Sequence, residues 1–197
     1  MIPRHLIIGV SIMLAIALGL GFYAWRMRGH VEQGAAVNRQ TVAPPVTGPT
    51  EQVTLYVAYD EGGILRPQPT RIPLPAGRQE RAQELLRALL SLYLDKTSPH
   101  ALVAGSEIRN VYLVDPGLAV IDLNLAFADG HRSGVLVEEL TVASLVETLA
   151  ANIPGITRVK ILVDGKERDT LAGHADLSQV YDVTAVNQMI GQLAGTT

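Results

Sequence analysis

The stretch GVLVEELTVASLVETLAANIPGITRVKILVDG, Gly134–Gly165, decides how this chain folds. From Gly134 to Asn152 the apolar side chains recur with a helical period. Val137, Leu140, Ser144, Val146 and Leu149 lie near one face, and Val135, Leu136, Val142 and Leu145 widen it. So wide an apolar surface predicts a helix buried against a sheet. Pro154-Gly155 closes it. Arg158–Val163 then reads as a strand, and Asp164-Gly165 as a hairpin turn into Lys166-Glu167-Arg168.

Upstream the same logic gives a hairpin and a second helix. Ile108–Val114 and Leu118–Leu123 are strand-like runs joined by Asp115-Pro116-Gly117, where Pro presets one turn torsion and Gly tolerates a positive φ. Asn124–Ser133 reads as a loop between the hairpin and the long helix. From Arg78 to Leu94, Ala82, Leu85, Leu86, Leu89 and Tyr93 share one helix face. Val53–Tyr59 alternates and predicts a strand. Thr70–Leu74 is a short second strand, confined to an edge by Pro67, Pro69, Pro73 and Pro75. Downstream, Val183–Leu193 is open between a frayed helix and a disordered tail. The expected architecture is α+β: a two-layer sandwich in which a small mixed sheet carries two amphipathic helices on one face.

The first 51 residues differ in kind. Leu6–Trp25, LIIGVSIMLAIALGLGFYAW, contains no charge. As a helix of about 1.5 Å per residue it matches the hydrocarbon thickness of a bilayer. Tyr23, Trp25, Arg26 and Arg28 follow at one end as interfacial anchors. Residues 1–28 therefore read as an uncleaved transmembrane signal anchor, with residues 6–25 in the lipid bilayer. Ala15–Gly19 and Ala17–Gly21 have the small-x-x-x-small spacing that lets helices associate. Residues 29–51 are rich in Gly, Pro, Ala and Thr and read as a tether. Residues 52–182 form one domain, and 183–197 a C-terminal tail. The flanking basic residues slightly favour a cytoplasmic domain.

Beyond Glu51 lie 12 of the 16 basic and 17 of the 19 acidic residues, a formal −5. That charge, without a basic stripe, argues against nucleic acid as a partner. The chain has no cysteine, which excludes disulfides and attachment of lipid to a cysteine.

Candidate chemistry is sparse. Asp129-Gly130-His131-Arg132-Ser133-Gly134 lacks the spacing of a serine nucleophile elbow, so Ser133 reads as the cap of the long helix. His131 and His174 with Asp129 and Asp176 lack metal-ligand spacing. Asp122-Leu123-Asn124 lacks the glycine and glutamate of a calcium loop, and Asp122 reads as solvent-facing. Glu138 and Glu139 sit where carboxylates favour a helix N-terminus. No catalytic residue, cofactor or metal site is expected.

Residues 52–181 resemble the GerMN domain family of bacterial sporulation and spore germination proteins. The resemblance rests on Val53–Val57, Arg71-Ile72-Pro73-Leu74, Gln83–Leu90 and Gly117–Leu123. Its most specific part is Leu145–Leu149, Ile153–Ile156, Val159–Lys166 and Thr170–Leu177. It implies a fold akin to the ring-building modules of the sporulation secretion channel. It also implies an extracytoplasmic domain, against the weak charge signal, and a role in protein–protein assembly rather than catalysis. Two features depart from many relatives: there is no cysteine to lipidate, and there is room for one domain copy. The functional expectation is thus a single-pass membrane protein with its domain outside, pairing with other envelope proteins or with itself. The alternative is an envelope hydrolase or small-ligand-binding protein with a site near Asp129, His131 and His174.

Overall fold

The computed structural model describes residues 49–114 and 116–194, within the compact unit Val46–Thr197. The anchor expected over residues 6–25, its basic flank and the tether as far as residue 48 lie outside the described residues. Among the described residues no helix is long and apolar enough to cross a membrane.

In chain order the elements are β1 (Thr50–Tyr59), β2 (Ile64–Pro73), α1 (Arg78–Tyr93), β3 (Ile108–Val114), β4 (Leu118–Leu123), α2 (Leu125–Asp129), α3 (Val135–Asn152), β5 (Arg158–Val163), β6 (Val180–Asp182) and α4 (Val183–Ala194). The α+β class holds. The single mixed sheet does not. β1 and β2 form an antiparallel pair of their own, and a separate sheet runs β3-β4-β5-β6, parallel only between β4 and β5.

The reason for the split is what meets the second edge of β1. A helix takes the place of a strand there. Asn152 Nδ2 donates to the Thr54 carbonyl at 2.7 Å and its Oδ1 accepts the Thr54 N–H at 3.1 Å. Thr148 Oγ1 accepts the Tyr56 N–H at 3.0 Å, and Ser144 Oγ donates to the Tyr56 carbonyl at 2.6 Å. One step further, the Tyr93 hydroxyl accepts the Ala58 N–H at 2.9 Å and bonds Ser144 Oγ. Helix positions four apart rise about 6.0 Å. Strand positions two apart rise about 6.6–6.8 Å. The two rises are close enough for Ser144 and Thr148 to serve Tyr56 and for Asn152 to serve Thr54, with α3 running antiparallel to β1.

This polar stripe lies on a helix that is otherwise core. Every residue of α3 from Leu140 to Leu149 is buried. Leu140, Leu145 and Leu149 join Leu85, Leu86 and Leu89 of α1, Leu55 of β1 and Ile121, Val159 and Ile161 of the larger sheet. The wide apolar surface read from the sequence is thus real.

Two local expectations change, and one left open is resolved. Asn124–Ser133 is not all loop. Asn124 Oδ1 accepts the Phe127 N–H at 2.9 Å and caps the short α2, which buries Phe127 and Ala128. The second strand starts at Ile64 rather than Thr70 and pairs along its whole length with β1. Val183–Ala194 is a helix: Asp182 Oδ1 accepts the N–H groups of Thr184 and Ala185, and Val186 is buried against the core. The Asp164-Gly165 turn is as read, with positive φ at both residues and the Val163 and Lys166 backbones bonded across it. Gly117 is required where it stands. Its φ is +72°, and a Cβ there would lie 2.7 Å from Thr157 Oγ1 and 2.9 Å from the Gly155 carbonyl.

Asn152→Leu keeps the volume but removes both bonds to Thr54, leaving its N–H and C=O unpaired at a part-buried edge. The expected loss is about 1–3 kcal/mol of unfolding free energy in a urea titration. A change below about 0.5 kcal/mol would show that water replaces the amide at no cost.

Candidate functional site

The densest polar cluster in the described residues forms where β1 ends and α3 begins. Asp60 follows β1, and its N–H donates to the Pro99 carbonyl at 3.2 Å, which pins the loop after α1 beside it. This loop carries His100, packed edge-on against Tyr93 with ring centroids 4.8 Å apart. His100 Nδ1 lies 2.6 Å from Asp60 Oδ1, and its Nε2 lies 2.7 Å from Thr141 Oγ1 on α3. His131, just after α2, brings its own Nε2 to 2.7 Å from the same hydroxyl, while its Nδ1 sits 2.8 Å from the Arg132 carbonyl. Arg132 closes the cluster outward through an ion pair with Asp60.

The acceptors fix where the protons go. The Asp60 carboxylate and the Arg132 carbonyl only accept, so each ring carries its hydrogen on Nδ1. Both Nε2 atoms then face one hydroxyl, which also lies 2.9 Å from the Val137 carbonyl. One hydroxyl hydrogen serves only one ring. A single further proton completes the chain, with one ring donating to Oγ1 and Oγ1 donating to the other. Burial opposes that proton. It pushes His100 below the usual histidine range against the pull of Asp60. It does the same to His131 against the Arg132 carbonyl, with the charge of His100 adding to the depression.

Asp60, His100 and Thr141 follow the acid–base–hydroxyl order of a hydrolase triad. Access is what they lack. Thr141 and His100 are each 1% exposed, and the hydroxyl is crowded by three polar neighbours. A nucleophile must come within bonding reach of a substrate carbonyl, and this one is sealed. Outside the seal lies an open cleft of about 780 Å³, lined by Asp60, Arg66, Ser98, Ala101 and Arg132 among others.

A second buried centre is Glu138, 0% exposed in the first turn of α3. Its Oε2 accepts the N–H groups of Ala172, His174 and Ala175 at 2.9–3.0 Å. Its Oε1 accepts the Gly134 N–H at 3.1 Å and lies 2.9 Å from His174 Nδ1. Burial alone raises the pKa of a carboxyl group. Here the backbone donors and His174 outweigh it and hold Glu138 down at about 2. Ser133 therefore does not cap α3: Gly134 is the cap residue, its N–H donates to Glu138 Oε1, and Ser133 Oγ sits 3.3 Å from His174 Nδ1.

Asp129, His131, His174 and Asp176 do not meet one another. Asp129 pairs with Arg168 at 2.6 Å, His131 belongs to the Thr141 cluster, and His174 serves Glu138. Asp176 accepts the Ser178 N–H and hydroxyl. Asp122 is not solvent-facing. It is buried and accepts the Gly165 N–H at 2.7 Å, tying β4 to the turn after β5. Among the described residues no group of three histidine, aspartate or glutamate side chains is arranged to hold a metal ion. Asp60, His100 and Thr141 escaped the sequence reading. The one signal, for Thr141, is the run of polar positions Glu138, Thr141, Ser144, Thr148 and Asn152 at helical spacing along a largely apolar helix.

Comparison with known proteins gives a family match and structural neighbours for the fold. The family model Germane, described as sporulation and spore germination, matches residues 54–169. No curated protein matches the sequence. Among solved structures, the tandem GerMN domains of the sporulation protein GerM from Bacillus subtilis align with a TM-score of 0.51 at 20% identity. That alignment covers 68% of this chain and 46% of theirs. The first GerMN domain of the same protein aligns with a TM-score of 0.44 at 18% identity, covering 65% of this chain and 93% of it. A candidate lipoprotein from Clostridium perfringens aligns with a TM-score of 0.47 at 21% identity, covering 75% of this chain and 97% of it.

Two outcomes are expected of the buried groups. Glu138→Gln turns an amide N–H₂ toward backbone donors and should cost roughly 2–4 kcal/mol in urea unfolding. A neutral result would show that the Leu171–Ala175 turn holds itself. The two histidines have folded pKa values below their ordinary 6.5, so their stabilisation is complete above pH 6.5 and lost as the pH falls. Glu139 and Glu147, raised by burial, act in the opposite sense, so the readout is a difference. The stability of the wild type relative to His131→Gln should be greatest above pH 6.5 and shrink toward pH 5. A constant difference contradicts the shift.

Proposed function

This chain belongs to the Germane family of sporulation and spore germination domains, and from that premise we propose that its domain is a non-catalytic interaction module of the bacterial cell envelope. The apolar run Leu6–Trp25 holds it at the cytoplasmic membrane, and the domain works on the outer side. Its partners are other envelope proteins or further copies of itself.

One observation carries the reading: the Asp60–His100–Thr141 relay is enclosed, with its hydroxyl 1% exposed and saturated by polar neighbours, while at His174 both Glu138 and Ser133 meet the same ring nitrogen, so no proton relay runs through that ring. The polar side chains that chemistry would need are engaged in holding α3 to β1 and to the loops around it. The alternative, a hydrolase or ligand site around Asp129, His131 and His174, has no supporting geometry, because each of those residues answers to a different partner. What the domain offers outward is apolar surface on the larger sheet, where Tyr112 and Val114 stand 44% and 47% exposed on β3. Tyrosine is enriched among the residues that anchor protein contacts.

The absence of cysteine permits a direct test of topology and contact. Exposed Lys96 replaced by Cys should react with a membrane-impermeant maleimide in intact cells, and protection until lysis would place the domain inside. A photo-cross-linking residue at Tyr112 should give discrete protein adducts, whereas one at exposed Glu80 should give few. Turnover of an ester, amide or glycoside by the purified chain that disappears in Thr141→Val would overturn the non-catalytic reading.

A further inference from the structure

We infer that the outer edge of β2 is built to refuse strand addition, through three prolines placed on the one phase where they cost the hairpin nothing. In an antiparallel pair, residues alternate between those whose N–H and C=O face the partner and those whose groups face away. The side-chain bonds from α3 reveal which phase is which. Thr54 and Tyr56 have both backbone groups bonded to α3, and the Ala58 N–H is bonded to Tyr93. These three residues therefore face away from β2.

Their register partners are Pro69, Pro67 and Leu65, which by the same alternation face away from β1. Continuing along β2 adds Arg71 and Pro73, opposite Gln52 and Thr50. The outward row is thus Leu65, Pro67, Pro69, Arg71 and Pro73. Three of its five positions have no N–H to give. The inward row, Ile64, Arg66, Gln68, Thr70 and Ile72, contains no proline, so the ladder to β1 is intact.

The middle of this edge, Arg66–Pro69, is exposed. A long exposed edge is a template for another strand. Here it shows a row of carbonyl acceptors with donors only at Leu65 and Arg71. A neighbouring strand needs acceptor and donor in alternation, and opposite Pro67 and Pro69 its own carbonyls would find nothing. Assembly of this domain by strand addition, whether or not the proposed envelope role holds, therefore avoids the outer edge of β2.

The test restores the donors. Full-length chain in detergent micelles carries Gln68→Cys as a reporter on the exposed edge, with and without Pro67→Thr and Pro69→Val. Oxidative cross-linking at equal concentration should be several-fold higher with the two substitutions. Any association through the segment outside the described residues is common to both proteins and cancels in the comparison. Equal cross-linking in a variant that keeps its circular dichroism spectrum overturns the inference. If the double variant does not fold, Pro69→Val alone is read by the same criterion, with a smaller rise expected.

Discussion

The whole domain depends on one contact: a helix standing in for a strand. A backbone edge buried against other protein must have its N–H and C=O groups bonded, because an unpaired one loses its water without replacement. β1 has such an edge and no third strand to satisfy it. Ser144, Thr148 and Asn152 of α3, with Tyr93 of α1, supply the missing donors and acceptors. The near match between four residues of helix and two of strand makes the arrangement possible. It lets α3 be buried along most of its length, lets α1 pack behind it, and leaves the β1–β2 pair as a sheet of its own.

The same helix organises the polar clusters. Glu138 and Thr141 lie on the stripe that continues toward the N-terminus of α3. Glu138 gathers three N–H groups from the Leu171–Ala175 turn, and Thr141 gathers two histidines from two different loops. These groups hold chain segments far apart in sequence to one rod. Buried polar networks of this kind are stabilising only when every member is satisfied. The triad-like order of Asp60, His100 and Thr141 is part of this same set of contacts, with Thr141 joining the two histidine loops to α3.

Much of the fold was legible because period and turn chemistry are local. The bounds of β3, β4 and β5 match their sequence reading, and α1 and α3 match within a residue, since Pro116-Gly117, Pro154-Gly155 and Asp164-Gly165 mark them directly. The two-sheet division was not legible. Nothing in Val53–Tyr59 says whether its free edge meets a strand or a helix. The answer lies some ninety residues away, in serine, threonine and asparagine that a hydropathy reading treats as interruptions. The Asp60–His100–Thr141–His131 cluster was hidden for the same reason, since its members come from four segments. Asp129, His131 and His174 drew notice as polar residues in loops, but spacing along the chain could not show that they turn toward separate partners.

Native-state amide hydrogen exchange on the wild-type protein tests the central contact most directly. The Thr54, Tyr56 and Ala58 amides have no strand partner, and their protection rests on the side chains of α3 and α1. They should exchange as slowly as the amides of the buried turns of α3, through the same global opening. Exchange of those three amides orders of magnitude faster than that of α3, with the rest of β1 protected, would show that the helix does not hold the strand and would contradict the account.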